Sequence, residues 1–312
     1  MNPLPTRVAV IGGGQNCEHE VSLASAAAVA AALDPARYEV VRLTIGRDGA
    51  WSDEHGGVVG LGAAVELLQT CAAVLPVVHG PRGEDGTLAA LCDLAGVPCV
   101  GSGVRAGALA MDKWATKLVA EAIGVRTATG VLVSRADSIA WSGPVVVKPV
   151  AAGSSHGVSL VRDADDFADA LESALALDDR VLVEEVIVGR EIDLAVLRLP
   201  GGDLMVAPAL EIVVDDVFDT RTKYDGSADF RLPADLDEVA GKDLETAAIA
   251  MYEALGCAGV ARIDFFVTEH GPVLNEVNTM PGMTEQSQVP KMFAAGGLPY
   301  PDLLDLLVRG AL

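Results

Sequence analysis

Ala261-Arg-Ile-Asp-Phe-Phe-Val267, followed after a short break by Val273-Leu-Asn-Glu-Val-Asn-Thr-Met-Pro-Gly-Met283, reads as two apolar strands joined by a turn at His270-Gly271-Pro272. Residues two apart on a strand share a face, so Arg262 and Asp264 point the same way, as do Glu276 and Asn278 on the partner strand. Polar groups inside apolar runs cost free energy unless something binds them. Three oxygen donors beside a guanidinium suit Mg²⁺, a hard cation that keeps several waters and completes its shell with phosphate oxygens. The stretch reads as one wall of a nucleotide-metal site. It also fits an ordinary hairpin whose charges face water.

Composition narrows the field. At 312 residues the chain is long enough for two domains, or one with elaborations, at about 150 residues per domain. Hydrophobic residues make up 51% and charged residues 21%, as in globular proteins, and 22 Lys+Arg against 44 Asp+Glu leave a net charge of -22. Such a field repels a polyanion, which argues against nucleic acid as a partner and leaves any anionic ligand to a few local cations. The five cysteines, Cys17, Cys71, Cys92, Cys99 and Cys257, are an odd number without a CxxC pair, so neither a disulfide framework nor a zinc site is expected. Reduced thiols fit a cytoplasmic location. The longest uncharged run, Val21 to Leu33, is too short and too rich in Ser and Ala to span a bilayer, and no signal peptide is expected.

Residues 7 to 100 alternate between strand and helix patterns: strands at Val8 to Ile11, Val40 to Ile45 and Val74 to Val78, helices over Glu18 to Leu33 and Thr87 to Leu94. This order predicts an open parallel α/β unit. The first strand ends in Gly12-Gly13-Gly14, where backbone could approach an anion, but Cys17 occupies the third glycine of G-x-G-x-x-G. Helices over 104 to 110 and 112 to 123 precede strands at 127 to 133 and 144 to 148. Beyond Gly189 the patterns predict strands at 191 to 199 and 204 to 214, a polar loop from 215 to 233, helices at 236 to 255 and near 301 to 309, and the hairpin between them.

Several constellations can carry chemistry. Val145-Val-Val-Lys148-Pro149 runs into Ala151-Ala-Gly-Ser-Ser-His-Gly157, a loop whose amides and hydroxyls can wrap phosphates beside a lysine. It lacks the Walker order, and a plain flexible turn is the competing reading. With Lys113, Lys223 and Arg262, Lys148 makes a set of four cations for a triphosphate in an acidic protein. Val181-Leu-Val-Glu184-Glu185 and Glu191 offer acceptors for ribose or adenine, or solvent-exposed strand ends. His79 and the turn Gly83-Glu-Asp-Gly86 follow the carboxyl end of the third strand, where open α/β sheets bind ligands.

Taken in order, these segments resemble the D-alanine–D-alanine ligases of the ATP-grasp superfamily, from about residue 7 to about residue 308. The motifs are Glu18-His-Glu-Val-Ser-Leu-Ala-Ser25, His79-Gly-Pro-Arg-Gly-Glu-Asp-Gly86, Gly101-Ser-Gly103, Met111-Asp-Lys113, Lys148-Pro with Gly153-Ser-Ser155, Lys223-Tyr224, Arg262-x-Asp264 and Asn275-Glu-Val-Asn-Thr-Met-Pro-Gly-Met-Thr284. The resemblance implies an α/β chain with the ATP-grasp fold. A Rossmann-like open sheet over 1–103 would be followed by central (104–188) and C-terminal (189–312) α+β domains, with ATP between the latter two. It implies that Lys113, Lys148, Ser155, Glu184, Glu185, Ile187, Glu191, Lys223, Phe266 and Asn275 hold ATP. Asp264, Glu276 and Asn278 would bind two Mg²⁺, for which Mn²⁺ can substitute. Glu18, Val21 and His79 would bind the first D-alanine, whose carboxylate becomes an acyl phosphate. Lys223, Tyr224, Ser287 and Gln288 would hold the second. Arg262 and the N–H of Gly282 would stabilise the developing charge, and Glu18, Ser154 and Tyr224 would form a hydrogen-bonded group. The resemblance further implies a homodimer, and a closing lid over about 215–232.

This chain also departs from the family's pattern. Thr220 stands where a second lid tyrosine is usual, Ala151-Ala152 lack polar residues common in relatives, Thr87-Leu-Ala-Ala90 replaces a frequent Gln-Gly pair, and Gln288 replaces an apolar residue. The ATP and metal positions are untouched. The leading expectation is a D-alanine–D-alanine ligase for peptidoglycan precursors. The alternatives are a same-fold ligase for a different amino acid pair and an inactive nucleotide-binding regulatory homologue. An NAD-dependent oxidoreductase fails at Cys17.

Overall fold

The computed structural model describes residues 4–213 and 229–312, and three sheets follow one another along the chain. The first is built from β1 (Thr6–Gly13), β2 (Tyr38–Ile45), β3 (Trp51–Ser52), β4 (Val58–Val59) and β5 (Ala73–Pro76), in the order β4-β3-β2-β1-β5. β1 runs parallel to both β2 and β5, as the alternating patterns predict. Its last six residues are all buried, which a strand covered on both faces requires. Ala9 and Ile11 meet α2 (Leu61–Leu68) and α3 (Thr87–Ala95). Val8 and Val10 meet α1 (His19–Ala32) and, from the far end of the chain, Leu303, Leu304 and Leu307.

The glycines after β1 serve packing. Gly13 N–H donates to Ser22 Oγ at 2.9 Å and Gly14 N–H to the Ile45 carbonyl at 2.8 Å, so neither amide is available to an anion. A Cβ on Gly12 would lie 2.6 Å from that of Ala26, and Gly13 has a φ of +91°. Only glycine lets the helix come this close.

α4 (Val104–Met111) and α5 (Lys113–Ala122) follow, and Asp112 caps α5 by accepting from Ala115 N–H at 2.9 Å. The second sheet is antiparallel and contains β6 (Gly130–Ser134), β7 (Val145–Pro149), β8 (Ser159–Val161) and β9 (Arg180–Glu185), ordered β6-β9-β7-β8. α6 (Phe167–Leu175) covers Val133, Val147, Val181 and Val183 on one face. By strand alternation Lys148 and Glu184 project from the other.

The third sheet contains β10 (Arg190–Arg198), β11 (Leu204–Val206), β12 (Leu210–Val213), β13 (Asp229–Arg231), β14 (Val260–Thr268) and β15 (Gly271–Asn278), with the path β13-β12-β10-β14-β15 and β11 on β10. α7 (Glu238–Leu255), α4 and α5 cover Ile192, Leu194, Ile263, Phe265 and Val277. α8 (Gln288–Ala295) covers Ala195 and Leu197 on the opposite face, and α9 (Tyr300–Ala311) returns to the first sheet.

The structure adjusts several expectations. The hairpin turns at Glu269 and His270, while Gly271 and Pro272 belong to β15, an edge strand where a missing N–H is tolerated. The run 204–214 is two strands interrupted around Pro208. Asp264 pairs with Glu276 but Phe265 pairs with Leu274, so Asn275 is an extra residue in a bulge. Residues 214–228, which include most of the expected lid with Thr220, Lys223 and Tyr224, lie outside the described residues.

Candidate active site

Two neighbouring cavities lie where the three sheets meet. The first, of about 130 Å³, is bounded by Lys148, Glu184, Glu185 and Ile187 of the central region and by Phe266, Asn275 and Glu276 of the hairpin. Lys113 and Ser155 also line it. Adjacent strand residues normally face opposite ways, and the bulge is what brings both Asn275 and Glu276 to this wall. Glu191 is buried on β10 opposite Phe266 and does not itself line the cavity.

The cations are held by side chains from distant segments. Lys148 Nζ lies 2.7 Å from Glu184 Oε2 and 3.3 Å from Asn275 Oδ1. Lys117 takes the other oxygen of Glu184 and also donates to the Ala128 carbonyl. Burial pushes the Glu184 carboxyl up, but Lys148 and Lys117 outweigh it and hold the group below the usual carboxylate range. Burial also draws the Lys117 ammonium below its ordinary pKa, against the pull of Glu184. Lys113 Nζ sits 3.2 Å from Glu276 Oε2 and donates to the Ala152 carbonyl at 2.9 Å, tying α5 to the hairpin and the glycine-serine loop.

The second cavity, of about 310 Å³, shares Ser155 and Glu276 with the first. Glu18, Val21, His79 and Glu84 wall it from the N-terminal segment, Ser154 from the loop, and Arg262, Asn278, Gly282, Ser287 and Gln288 from the C-terminal one. Ser154 Oγ donates to Glu18 Oε1, whereas Glu18 Oε2 is buried with no hydrogen-bond partner among the described residues. Burial holds His79 below the usual imidazole range. In its neutral form one nitrogen donates, so Nδ1–H reaches the Met280 carbonyl at 2.8 Å and Nε2 faces Ser25 Oγ at 3.3 Å. Ser25 Oγ accepts from Met283 N–H at 3.3 Å, so this network docks the 280–283 loop onto the first sheet.

Arg262 anchors the opposite wall. Its Nε and Nη2 donate to the two oxygens of Asp264 at 2.7 Å each, and Nη1 donates to Gln288 Oε1 at 2.7 Å. Asn278 Nδ2 donates to Asp264 Oδ2 at 3.1 Å. Burial works against the guanidinium's charge, but Asp264 and Asp193 more than compensate and keep its pKa well above the ordinary value. Ser287, the N-cap of α8, accepts from Thr284 N–H at 3.1 Å, and the helix start faces the cavity, an arrangement that favours an anion. Among the described residues no three His, Cys, Asp or Glu side chains are already grouped around a metal position, because Asp264 is turned to Arg262 and Glu276 to Lys113.

Three residues escape the sequence reading. Lys117 stands four positions after Lys113, a helical spacing that carried a usable signal. Glu84 belongs to the turn Gly83-Glu-Asp-Gly86, and its protonation state is set by distant segments: desolvation, with Glu18 adding repulsion, raises its carboxyl to about 8. Asp193 interrupts the apolar run Ile192 to Leu197, and it is 0% exposed.

Models of the family described as D-ala D-ala ligase match residues 132–309 with the C-terminal part and residues 7–61 and 58–102 with the N-terminal part. A D-alanine--D-alanine ligase of Mycolicibacterium smegmatis is 39% identical, with 99% of this chain and 96% of that protein covered. Among solved structures, the D-alanyl-alanine synthetase A of Vibrio cholerae superposes with a TM-score of 0.88 at 28% identity, covering 99% of both chains. A D-alanine--D-alanine ligase of Bacillus anthracis complexed with ATP gives 0.82 at 27% identity, covering 98% of this chain and 97% of that one.

Proposed function

The chain belongs to the D-alanine–D-alanine ligase family, and we propose that it is the ATP-dependent enzyme that joins two D-alanines into D-alanyl-D-alanine for peptidoglycan precursors. The observation that carries this reading is that the two cavities share Ser155 and Glu276. The terminal phosphate of a nucleotide in the first would meet a carboxylate bound in the second.

In this reading Glu185 and Ile187 hold the adenine, Glu184 serves the nucleoside with Glu191 set behind the cavity wall, Phe266 packs against the nucleoside, and Lys113, Lys148, Ser155 and Asn275 serve the phosphates. Lys223 and Tyr224, outside the described residues, join the phosphate and second-substrate sets through their motif alone. The unpartnered oxygen of Glu18 is an acceptor for the ammonium of the first D-alanine, which Val21 and His79 help to confine. Its carboxylate attacks the γ-phosphorus of ATP, releasing ADP and leaving an acyl phosphate. The amine of the second D-alanine, its own carboxylate held by Ser287 and the start of α8 beside Gln288, attacks that carbonyl and expels phosphate. Arg262 and Gly282 N–H stabilise the oxyanion, and Ser154 keeps the loop docked so that water cannot hydrolyse the acyl phosphate.

Asp264, Glu276 and Asn278 supply two carboxylates and an amide oxygen from paired strands, a donor set that fits two Mg²⁺ or Mn²⁺. Asn278 uses its Nδ2 on Asp264, which leaves its oxygen for a cation. When bound, the ions neutralise phosphate charge. No helix among the described residues is long and apolar enough to cross a membrane. The five free thiols and the use of ATP fit the cytoplasm, and sedimentation would test the homodimer that the family implies.

A panel of D- and L-amino acids, singly and in pairs, assayed for ATP-dependent phosphate release tests the function. D-alanine alone is expected to support turnover and to yield the dipeptide, and preference for another pair would overturn the assignment. Asp264→Ala and Glu276→Gln are expected to abolish turnover with the far-UV circular dichroism unchanged.

A further inference from the structure

Arg262 is surrounded by more negative charge than its own strand supplies. Besides its paired bonds to Asp264, its Nε lies 3.5 Å from Asp193 Oδ2. Asp193 stands on β10 directly opposite Asp264, and Asp264 stands opposite Glu276 on β15. Three carboxylates therefore form one row across three neighbouring strands, while Arg262 and Asn278 occupy the next row beside Ala195. Like charges directly opposite one another destabilise a sheet, and Asp193 is fully buried, so this row persists only with cations set into it.

Asp264 has two competing tasks. Both of its oxygens accept from Arg262 and one also accepts from Asn278, yet in the proposed reaction it is a ligand for a divalent cation. A cation drawing on Asp264 weakens its hold on the guanidinium and repels it. We propose that Asp193 is a positioning residue of the ligase: it shares the guanidinium of Arg262, so that Asp264 can engage the metal while Arg262 stays aimed at the reacting carbonyl. Its charge also makes the row more negative beside Arg262, which favours a divalent ion. This inference rests on the function proposed above.

The test compares wild type with Asp193→Asn, which keeps the shape and removes the charge. Mn²⁺ binding is followed by electron paramagnetic resonance in the presence of a non-hydrolysable ATP analogue, with thermal unfolding and turnover measured on the same samples. Loss of a residue that supports metal ligands costs about 10–100-fold in metal affinity or activity, and that is the expected range for both Mn²⁺ half-saturation and kcat. Binding of the analogue without metal is expected to be unchanged. Asp193→Glu, which restores the charge, should recover Mn²⁺ affinity in part. Mn²⁺ affinity and kcat equal to wild type would overturn the proposal, whatever the melting temperature. If the Asn variant does not fold, Asp193→Thr, uncharged and suited to a strand, carries the same measurement with the same two outcomes. Wild-type turnover of D-alanine tests the function separately, because the comparison of Mn²⁺ binding stands without it.

Discussion

The hydroxyl of Ser154 donates a hydrogen bond to the carboxylate of Glu18, a residue 136 positions earlier. This contact docks the glycine-serine loop onto the start of the first helix and so roofs the second cavity. The approach is close enough that a Cβ on Gly153 would lie 2.5 Å from Glu18 Oε2. Ser154 and Ser155 adopt φ values of 53° and 55°, a left-handed conformation that non-glycine residues seldom take in succession. The loop accepts that backbone cost, about 1–3 kcal/mol for each such residue, in order to reach Glu18.

Ser154→Ala removes the contact and is expected to lower kcat/KM for D-alanine by about 10–100-fold, the equivalent of a hydrogen bond to a charged group. Ser154→Gly relaxes the backbone but also lacks the hydroxyl, so steady-state kinetics should show a similar loss. Wild-type activity in the glycine variant would mean that loop strain, rather than the bond, governs the step.

Lys117→Met leaves Glu184 with Lys148 as its sole ammonium partner among the described residues. Breaking a buried pair typically costs about 3–5 kcal/mol, which urea unfolding would register. ATP affinity, read by calorimetry, should fall at least about tenfold, since Lys148 must then leave an otherwise uncompensated carboxylate to meet phosphate. Unaltered ATP affinity would show that Lys148 does not move.

Glu84, raised to about 8 by burial, is mostly protonated at neutral pH. In the folded protein it binds a proton that the unfolded chain releases near pH 4.5, so its contribution to stability is complete below that pH and is lost as pH rises through about 8. An ammonium arriving in the same cavity favours the carboxylate and expels the proton. D-alanine binding should therefore release protons at pH 7, seen as a dependence of calorimetric heat on buffer ionisation, and should tighten toward pH 8. Glu84→Gln should remove both effects, and a buffer-independent heat in wild type would refute them.

Gly13→Ala places a Cβ 2.1 Å from the Ile45 carbonyl oxygen at a φ of +91°. A fall in stability of more than about 2 kcal/mol is expected in chemical denaturation, with ATP affinity preserved at a temperature where the variant is folded. Selective loss of ATP binding would instead return an anion-binding role to these glycines.

The amino-acid sequence by itself, though silent on the short strands β3, β4 and β8 and on the helices α2, α6 and α8, determined the parallel opening unit, the long strands and helices that follow it, and the hairpin that carries Arg262 and Asp264 against Glu276 and Asn278. These follow from two-residue and helical periodicities and from the chemistry of adjacent residues, all of which are local. It also set out the lysines and carboxylates in the order that made the family recognisable. Which carboxylate each lysine meets was decided only in three dimensions: Lys148 with Glu184, Lys113 with Glu276. So were the bulge that turns Asn275 and Glu276 to one cavity, and the return of α9 to the first sheet. The raised carboxyl of Glu84 and the buried position of Asp193 belong to the same class, because desolvation and cross-strand register depend on how distant segments stack, and nothing in the residues beside them encodes it.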